Sequence, residues 1–129
     1  MPRYRSPGSR RVALAPCLSL ALAACGDGPS FPGASAPGDA RRGQQLLAQY
    51  QCGSCHAIPD VPAARGTVGP ALDAYGQRSY IAGHLPNNPE MLARWIVNPQ
   101  ALVPGTPMPA MGVSLEDARD MAAYLGRLK

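Results

Sequence analysis

The sequence predicts a small all-α domain of four to five short helices. Three observations predict it. Apolar residues recur at helical spacing in separate segments around Leu46, Trp95 and Met121, while strict apolar–polar alternation is nearly absent. Proline and glycine number 15 and 14 of 129 residues, so helices must be short and loops many. Aromatic residues make up only 5%, with one Trp and one Phe, which is little material for a core. A domain this small commonly needs added apolar bulk from a staple or a prosthetic group.

The source of that bulk is Cys52-Gly53-Ser54-Cys55-His56. This is the C-x-x-C-H pattern for covalent attachment of one c-type haem. Residues i and i+3 of a helical turn lie on one side of the backbone. Two thiols so placed can each reach a vinyl group on the same porphyrin edge, and His56 then points its imidazole at the iron. Gly53 and Ser54 are small enough to let the backbone lie close to the ring. A zinc site would want four nitrogen or sulfur ligands at paired spacings, and downstream of this motif only His84 remains. A redox C-x-x-C would want a βαβ setting, which the pattern lacks.

Arg3, Arg5, Arg10 and Arg11 all precede the first apolar run, so the formal net charge of +4 misleads. Setting these four aside leaves eight basic against eight acidic residues, and no support for nucleic-acid binding. Met1 to Arg11 read as a basic n-region and Val12 to Ala24 as an apolar h-region too short to span hydrocarbon, giving a signal peptide over residues 1–24. Leu22-Ala23-Ala24-Cys25 resembles a bacterial lipoprotein box, which implies cleavage before Cys25 and lipidation of its thiol. The alternatives are cleavage at an ordinary small-residue site, leaving Cys25 free, and an uncleaved anchor. Cysteine use then closes without disulfides: Cys17 leaves with the signal, Cys25 takes lipid, and Cys52 and Cys55 take haem. Residues 25–38 read as a flexible Gly/Pro/Ser/Ala tether, whose thirteen residues after Cys25 reach about 20 Å. The domain proper is 39–129.

Asp39 caps a first helix running to about Gln51, with Leu46, Leu47 and Tyr50 on its apolar face. Gly43 costs that helix about 1 kcal/mol relative to Ala and needs a packing reason. Ala57 to Val68 read as an irregular loop. After Gly69-Pro70-Ala71-Leu72, a short helical piece is expected to Tyr75, stopped by Gly76, and another is expected to begin at Tyr80-Ile81-Ala82. Asn88 caps the next helix, with Pro89 at its first position and Glu90 near its positive end. Leu92, Trp95 and Ile96 share its inner face, and Asn98 before Pro99 ends it. Ala101 to Gly112 read as a loop holding three prolines. Ser114 caps the last helix, with Asp117 at the reciprocal capping-box position, and Ala118, Met121, Ala122, Leu125 and Leu128 form its inner stripe.

A second axial ligand must come from His84 or a methionine. Met91 and Met121 fall on helices, where core filling is their expected role. Met108 and Met111 fall in the proline-rich loop. Met108 stands between Pro107 and Pro109, so its backbone is restricted on both sides and loses less entropy on ligation. Met108 is the expected ligand and Met111 its rival, with His84 facing solvent. His/Met ligation raises the haem potential and fills both axial positions.

From Asp39 to Lys129 the chain resembles the monohaem class I cytochrome c family, through Cys52-Gly53-Ser54-Cys55-His56, Gly69-Pro70-Ala71-Leu72, Pro107-Met108-Pro109 and Ala122-Ala123-Tyr124-Leu125. The resemblance implies the small cytochrome c fold, wrapped around haem c. It also implies a close crossing of first and last helices at Gly43 facing Tyr124, and a hydrogen bond from His56 to the carbonyl of Pro70. Tyr80-Ile81-Ala82-Gly83-His84-Leu85-Pro86-Asn87, with Trp95-Ile96 and Pro99-Gln100, is similar to the cytochrome c domain of haem-copper oxidase subunit II. That narrower likeness implies that Arg78, Tyr80 and Trp95 lie near the propionate edge, with Trp95 as plain core packing the alternative.

The expected function is one-electron transfer in a bacterial respiratory or periplasmic dehydrogenase chain, by a membrane-anchored lipoprotein on the periplasmic side. Expected partners are a terminal oxidase, a quinol-oxidising complex or a dehydrogenase, together with the membrane itself through the N-terminal lipid. The alternatives are a fixed cytochrome subunit of such a complex, and a haem peroxidase or sensor.

Overall fold

The computed structural model describes residues 37–129. The expected signal peptide over residues 1–24, Cys25 and the expected tether before Pro37 lie outside the described residues. Four helices and one minimal hairpin make up the domain: α1 (Ala40–Gln49), β1 (Tyr80–Ile81), β2 (Leu85–Pro86), α2 (Pro89–Val97), α3 (Pro99–Leu102) and α4 (Leu115–Leu125). No helix among the described residues is long and apolar enough to cross a membrane.

The first and last helices form the frame. The carboxylate of Asp39 accepts the backbone N–H groups of Arg41 and Arg42 and so caps α1. The Asp39 N–H in turn donates to the Asp120 carboxylate on α4 at 2.7 Å. The two backbones touch where α1 carries Gly43: a Cβ there would collide with the carbonyl oxygen of Asp120. This supplies the packing reason for a helix glycine. The atoms Gly43 meets first are backbone, however, one turn before Tyr124, whose hydroxyl donates to the Pro59 carbonyl at 2.6 Å.

Arg42 completes the joint by pairing with both Asp117 and Asp120. Tyr50 adds a hydrogen bond to the Asp117 carboxylate at 2.9 Å. Ser114 caps α4 through the Asp117 N–H, as the pattern indicates, but the Asp117 side chain turns across to Arg42 and Tyr50 rather than back to its own helix end. An ion pair between helices takes precedence there over the second half of the capping box.

The core lies inside this frame. Leu46 and Leu47 of α1, Leu92, Ala93, Trp95 and Ile96 of α2, and Ala118, Met121, Ala122 and Leu125 of α4 are all buried. Asn88 caps α2 by accepting from the Met91 N–H. Asn98 ends α2 and also caps α3 by accepting from the Ala101 N–H at 3.2 Å, so the expected loop begins after one further helical turn.

Two short expectations are corrected. No helix leads to Tyr75. Ala74 takes a left-handed conformation (φ 48°), a 3-10 turn follows at Tyr75–Gln77, and Gly76 sits inside that turn. Tyr80–Ile81 does not open a helix but pairs antiparallel with Leu85–Pro86. The intervening Ala82 and Gly83 both have positive φ, 50° and 75°, and the His84 N–H donates to the Ile81 carbonyl at 3.1 Å. A type I′ turn needs positive φ at both central positions, which a helical reading of Ile81-Ala82 overlooks. Strand alternation then buries Ile81 and leaves Tyr80 60% exposed.

Candidate cofactor site

The cysteine motif begins where α1 ends. Tyr50 closes the helix, and Gln51 takes a left-handed conformation (φ 56°, ψ 31°) that redirects the chain into a 3-10 turn at Cys52–Ser54. The N–H groups of Cys55 and His56 both donate to the Cys52 carbonyl, which winds the two thiols and the imidazole around one short turn. The segment after the loop folds back along this turn. Gly66 donates to Gly53, and Gly69 donates to Cys55 at 2.8 Å. Side chains at Gly53 or Gly66 would strike backbone, at Ala64 and Cys55 respectively, so the close wrap depends on their absence.

His56 is held from two sides. Its Nδ1 donates to the Pro70 carbonyl at 2.7 Å. A carbonyl can only accept, so the proton is on Nδ1 and the Nε2 lone pair is left free for a metal. The imidazole also lies against the bare face of Gly69.

Cys52, Cys55 and His56 open into a cavity of about 520 Å³. That lies within the range of roughly 300–1,000 Å³ typical of cofactor and ligand sites. Leu47, Leu72, Tyr75, Ile81, Leu92, Trp95, Ile96 and Leu125 form its apolar floor and walls. Its other side is the loop from Val103 to Pro109, which includes Met108. Burial pushes the Cys52 thiol above its ordinary range, and the neighbouring Cys55 acts in the same direction. Among the described residues no cluster of three or more His, Cys, Asp or Glu side chains could hold a bare metal ion. An apolar slot with two thiols, one imidazole with a free nitrogen and one thioether at its walls fits a covalently attached haem.

The other residues singled out in the sequence divide cleanly. Pro70, Arg78, Tyr80, Trp95 and Met108 all line this cavity. Met111, 45% exposed, and His84, also exposed, are not in its lining. Trp95 is only 7% exposed and also lines the cavity, so it packs in the core and forms part of the cavity wall. Arg78 donates to the carbonyls of Ala71 and Asp73 and stacks over the Tyr75 ring at 5.0 Å. Tyr75 itself was missed by sequence reading. It is buried, lines the cavity, and has its phenol pushed up to about 12, chiefly by burial. Its only sequence signal is an aromatic five residues after Pro70.

Comparison with known proteins agrees with this site. The sequence profile of the family described as Cytochrome c matches residues 40–129. Cytochrome c oxidase subunit 2 of Alkalihalophilus pseudofirmus is 42% identical over 91 residues, covering 70% of this chain and 26% of that protein. The corresponding subunit of Bacillus subtilis is 31% identical, with 24% of it covered, so the chain spans about a quarter of these relatives. Cytochrome c2 iso-1 of Magnetospirillum fulvum is 34% identical over 91 residues, 61% of this chain and 89% of that one. Among solved structures, SoxXA from P. pantotrophus shares the fold, with a TM-score of 0.58 at 23% identity over 74% of this chain and 85% of the other. With a single attachment motif opening into an apolar cavity and a family profile that matches residues 40–129, the chain belongs to the cytochrome c family, as a monohaem class I member carrying a covalent c-type haem.

Proposed function

We propose that this cytochrome is a one-electron carrier whose iron is held axially by His56 and Met108. The observation that carries this reading is the separation of the rival ligands: Met108 is half-buried and lines the cavity, whereas Met111 and His84 do not. When bound, the haem supplies a one-electron redox centre. The protein's part is to hold it still. Pro70 orients His56, the flanking prolines restrict Met108, and the apolar walls exclude water. Arg78, Tyr80 and Trp95 are assigned to the side of the cavity that receives the propionates. With both axial positions filled by protein, oxygen or peroxide has no open coordination site.

The expected result is reversible one-electron voltammetry of the holoprotein and no binding of carbon monoxide to the reduced form at neutral pH. Carbon monoxide binding there would overturn the carrier reading in favour of a peroxidase or sensor.

A fixed subunit of an oxidase or dehydrogenase complex is the second reading. It is favoured by the 42% identity to a domain that is part of an oxidase subunit in Alkalihalophilus pseudofirmus. Stable co-purification with a complex after mild detergent extraction selects it. We further propose that Cys25 carries the lipid that keeps the domain on the periplasmic face of a bacterial membrane. Cys25→Ser is then expected to release the protein from the membrane fraction, and retention of that variant would count against a lipid anchor.

A further inference from the structure

A second cavity, of about 460 Å³, opens where the chain enters the domain. It shares no lining residue with the haem cavity. Pro37 and Gly38 form one wall, Glu90 another, and Arg119, Ala123 and Arg127 a third. Gly38 fixes the chain here, since a Cβ at that position would strike the Arg119 carbonyl. Residues 119, 123 and 127 are spaced by four, so they follow one side of α4 and the turn after it. That side is turned away from the buried stripe of Ala118, Met121, Ala122 and Leu125. Ala123 is too small to fill the space between two long side chains, which leaves the hollow.

The chain leaves both arginines short of partners. The Arg119 Nε is enclosed and has no hydrogen bond. Its terminal nitrogen stands 3.6 Å from the Glu90 carboxylate, an ion pair too long for a hydrogen bond. Arg127 is exposed and has no ion-pair partner among the described residues. The Asp39 carboxylate, which feels the Arg127 charge, is already engaged by the N–H groups of Arg41 and Arg42. Two guanidiniums against one carboxylate give the hollow a net positive charge. A guanidinium is a fork of donors that matches the oxygens of a phosphate.

We infer that this hollow takes the phosphate of an anionic lipid headgroup and seats the domain on the membrane. The choice of a lipid over a free phosphate rests on the Cys25 anchor proposed above. The expected tether reaches about 20 Å, whereas a domain of this size has a radius of gyration of roughly 13 Å. An acyl chain at Cys25 therefore keeps the face bearing Pro37 close to the bilayer. Arginines held within a Debye length of an anionic surface are drawn to it. The haem cavity, built from other residues, is left clear of lipid.

The test uses the full-chain holoprotein with Cys25→Ser, so that no acyl chain contributes, and vesicles of phosphatidylcholine with or without phosphatidylglycerol. Co-sedimentation is expected only with the mixed vesicles at low salt. It is expected to fade at physiological salt, where the acyl chain remains the anchor. Arg119→Gln and Arg127→Gln are each expected to lower binding about fivefold. Glu90→Gln, which removes the opposing charge, is expected to raise it. Changes of opposite sign are not what a purely structural role would give. Unchanged binding in both arginine variants, or equal binding to phosphatidylcholine alone, would overturn the proposal. Should an arginine variant fail to fold, Glu90→Gln still decides, because no increase there would also overturn it. The Arg119 Nε–H resonance of the reduced form is expected to broaden with mixed vesicles and to stay put with inorganic phosphate at the same phosphate concentration. An equal response to both would make the hollow a free-anion site and sink the membrane assignment. The mass of the mature, unaltered product reports separately on the Cys25 reading.

Discussion

His56 and Pro70 meet through a single hydrogen bond of 2.7 Å, Nδ1 to carbonyl oxygen, and the residue between the haem loop and that proline is Gly69, whose missing side chain makes room for the imidazole. Gly69→Ala would place a methyl group against the ring. Overpacking of this kind costs about 1–3 kcal/mol. The variant is expected to lose stability in denaturant titration of the holoprotein and to shift its midpoint potential, because the histidine is displaced from its partner. Unchanged stability and potential together would show that the ring has room to move.

Met108→Ala should remove the weak long-wavelength absorption that sulfur ligation gives oxidised haem, and should let the reduced form bind carbon monoxide. Met111→Ala should leave both properties as they are. The reverse pattern would transfer the ligand role to Met111.

Gly43→Ala pits two effects against each other. Alanine is better than glycine in a helix by about 1 kcal/mol. The added methyl, however, would fall on the Asp120 carbonyl, which is backbone and has little freedom to yield. The collision is expected to win, with a net loss of stability on the order of 1–2 kcal/mol, since overpacking costs about 1–3 kcal/mol. A stabilised Gly43→Ala protein would mean that α1 and α4 are further apart than described.

Asp117 predicts an acid limb in stability. The hydrogen bond from the Tyr50 hydroxyl, and then the Arg42 guanidinium, hold its carboxyl below the ordinary value of 3.8, against the opposing effect of burial. A depressed folded pKa stabilises the protein above the unfolded pKa, and that contribution is lost as pH falls through the folded value. Asp117→Asn should therefore lower the melting temperature at neutral pH, and the difference from the unaltered protein should shrink as the solution is acidified below about pH 4. Melting curves that stay parallel across this range would assign the effect to shape rather than charge.

What could be read from the sequence was what local chemistry decides. Asn88 before Pro89, and Ser114 before an acidic turn, announce their helices because capping needs only neighbours. Cys52, Cys55 and His56 stand out because their residue types are scarce and their spacing is short, and Met108, which lines the cavity with them, because it stands between two prolines. What escaped was decided by φ or by distance along the chain. Nothing in alanine as a residue type signals that Ala74 and Ala82 take left-handed conformations, and those two positions replace expected helices with a 3-10 turn and a hairpin. Tyr75 was passed over because its burial depends on that turn. Nothing near Arg42 in the sequence signals that it joins two carboxylates more than seventy positions away.

The seam between α1 and α4 has a consequence for the order of synthesis. Among the described helices, the two that frame the domain, α1 and α4, are the first made and the last made. Until the residues of α4 have emerged, Gly43 has no backbone to pack against and Arg42 has neither of its carboxylates, so the helix that leads into the attachment cysteines lacks its partner. A chain cut short before α4 would keep every residue of its attachment motif and lose the helix to which α1 is fastened.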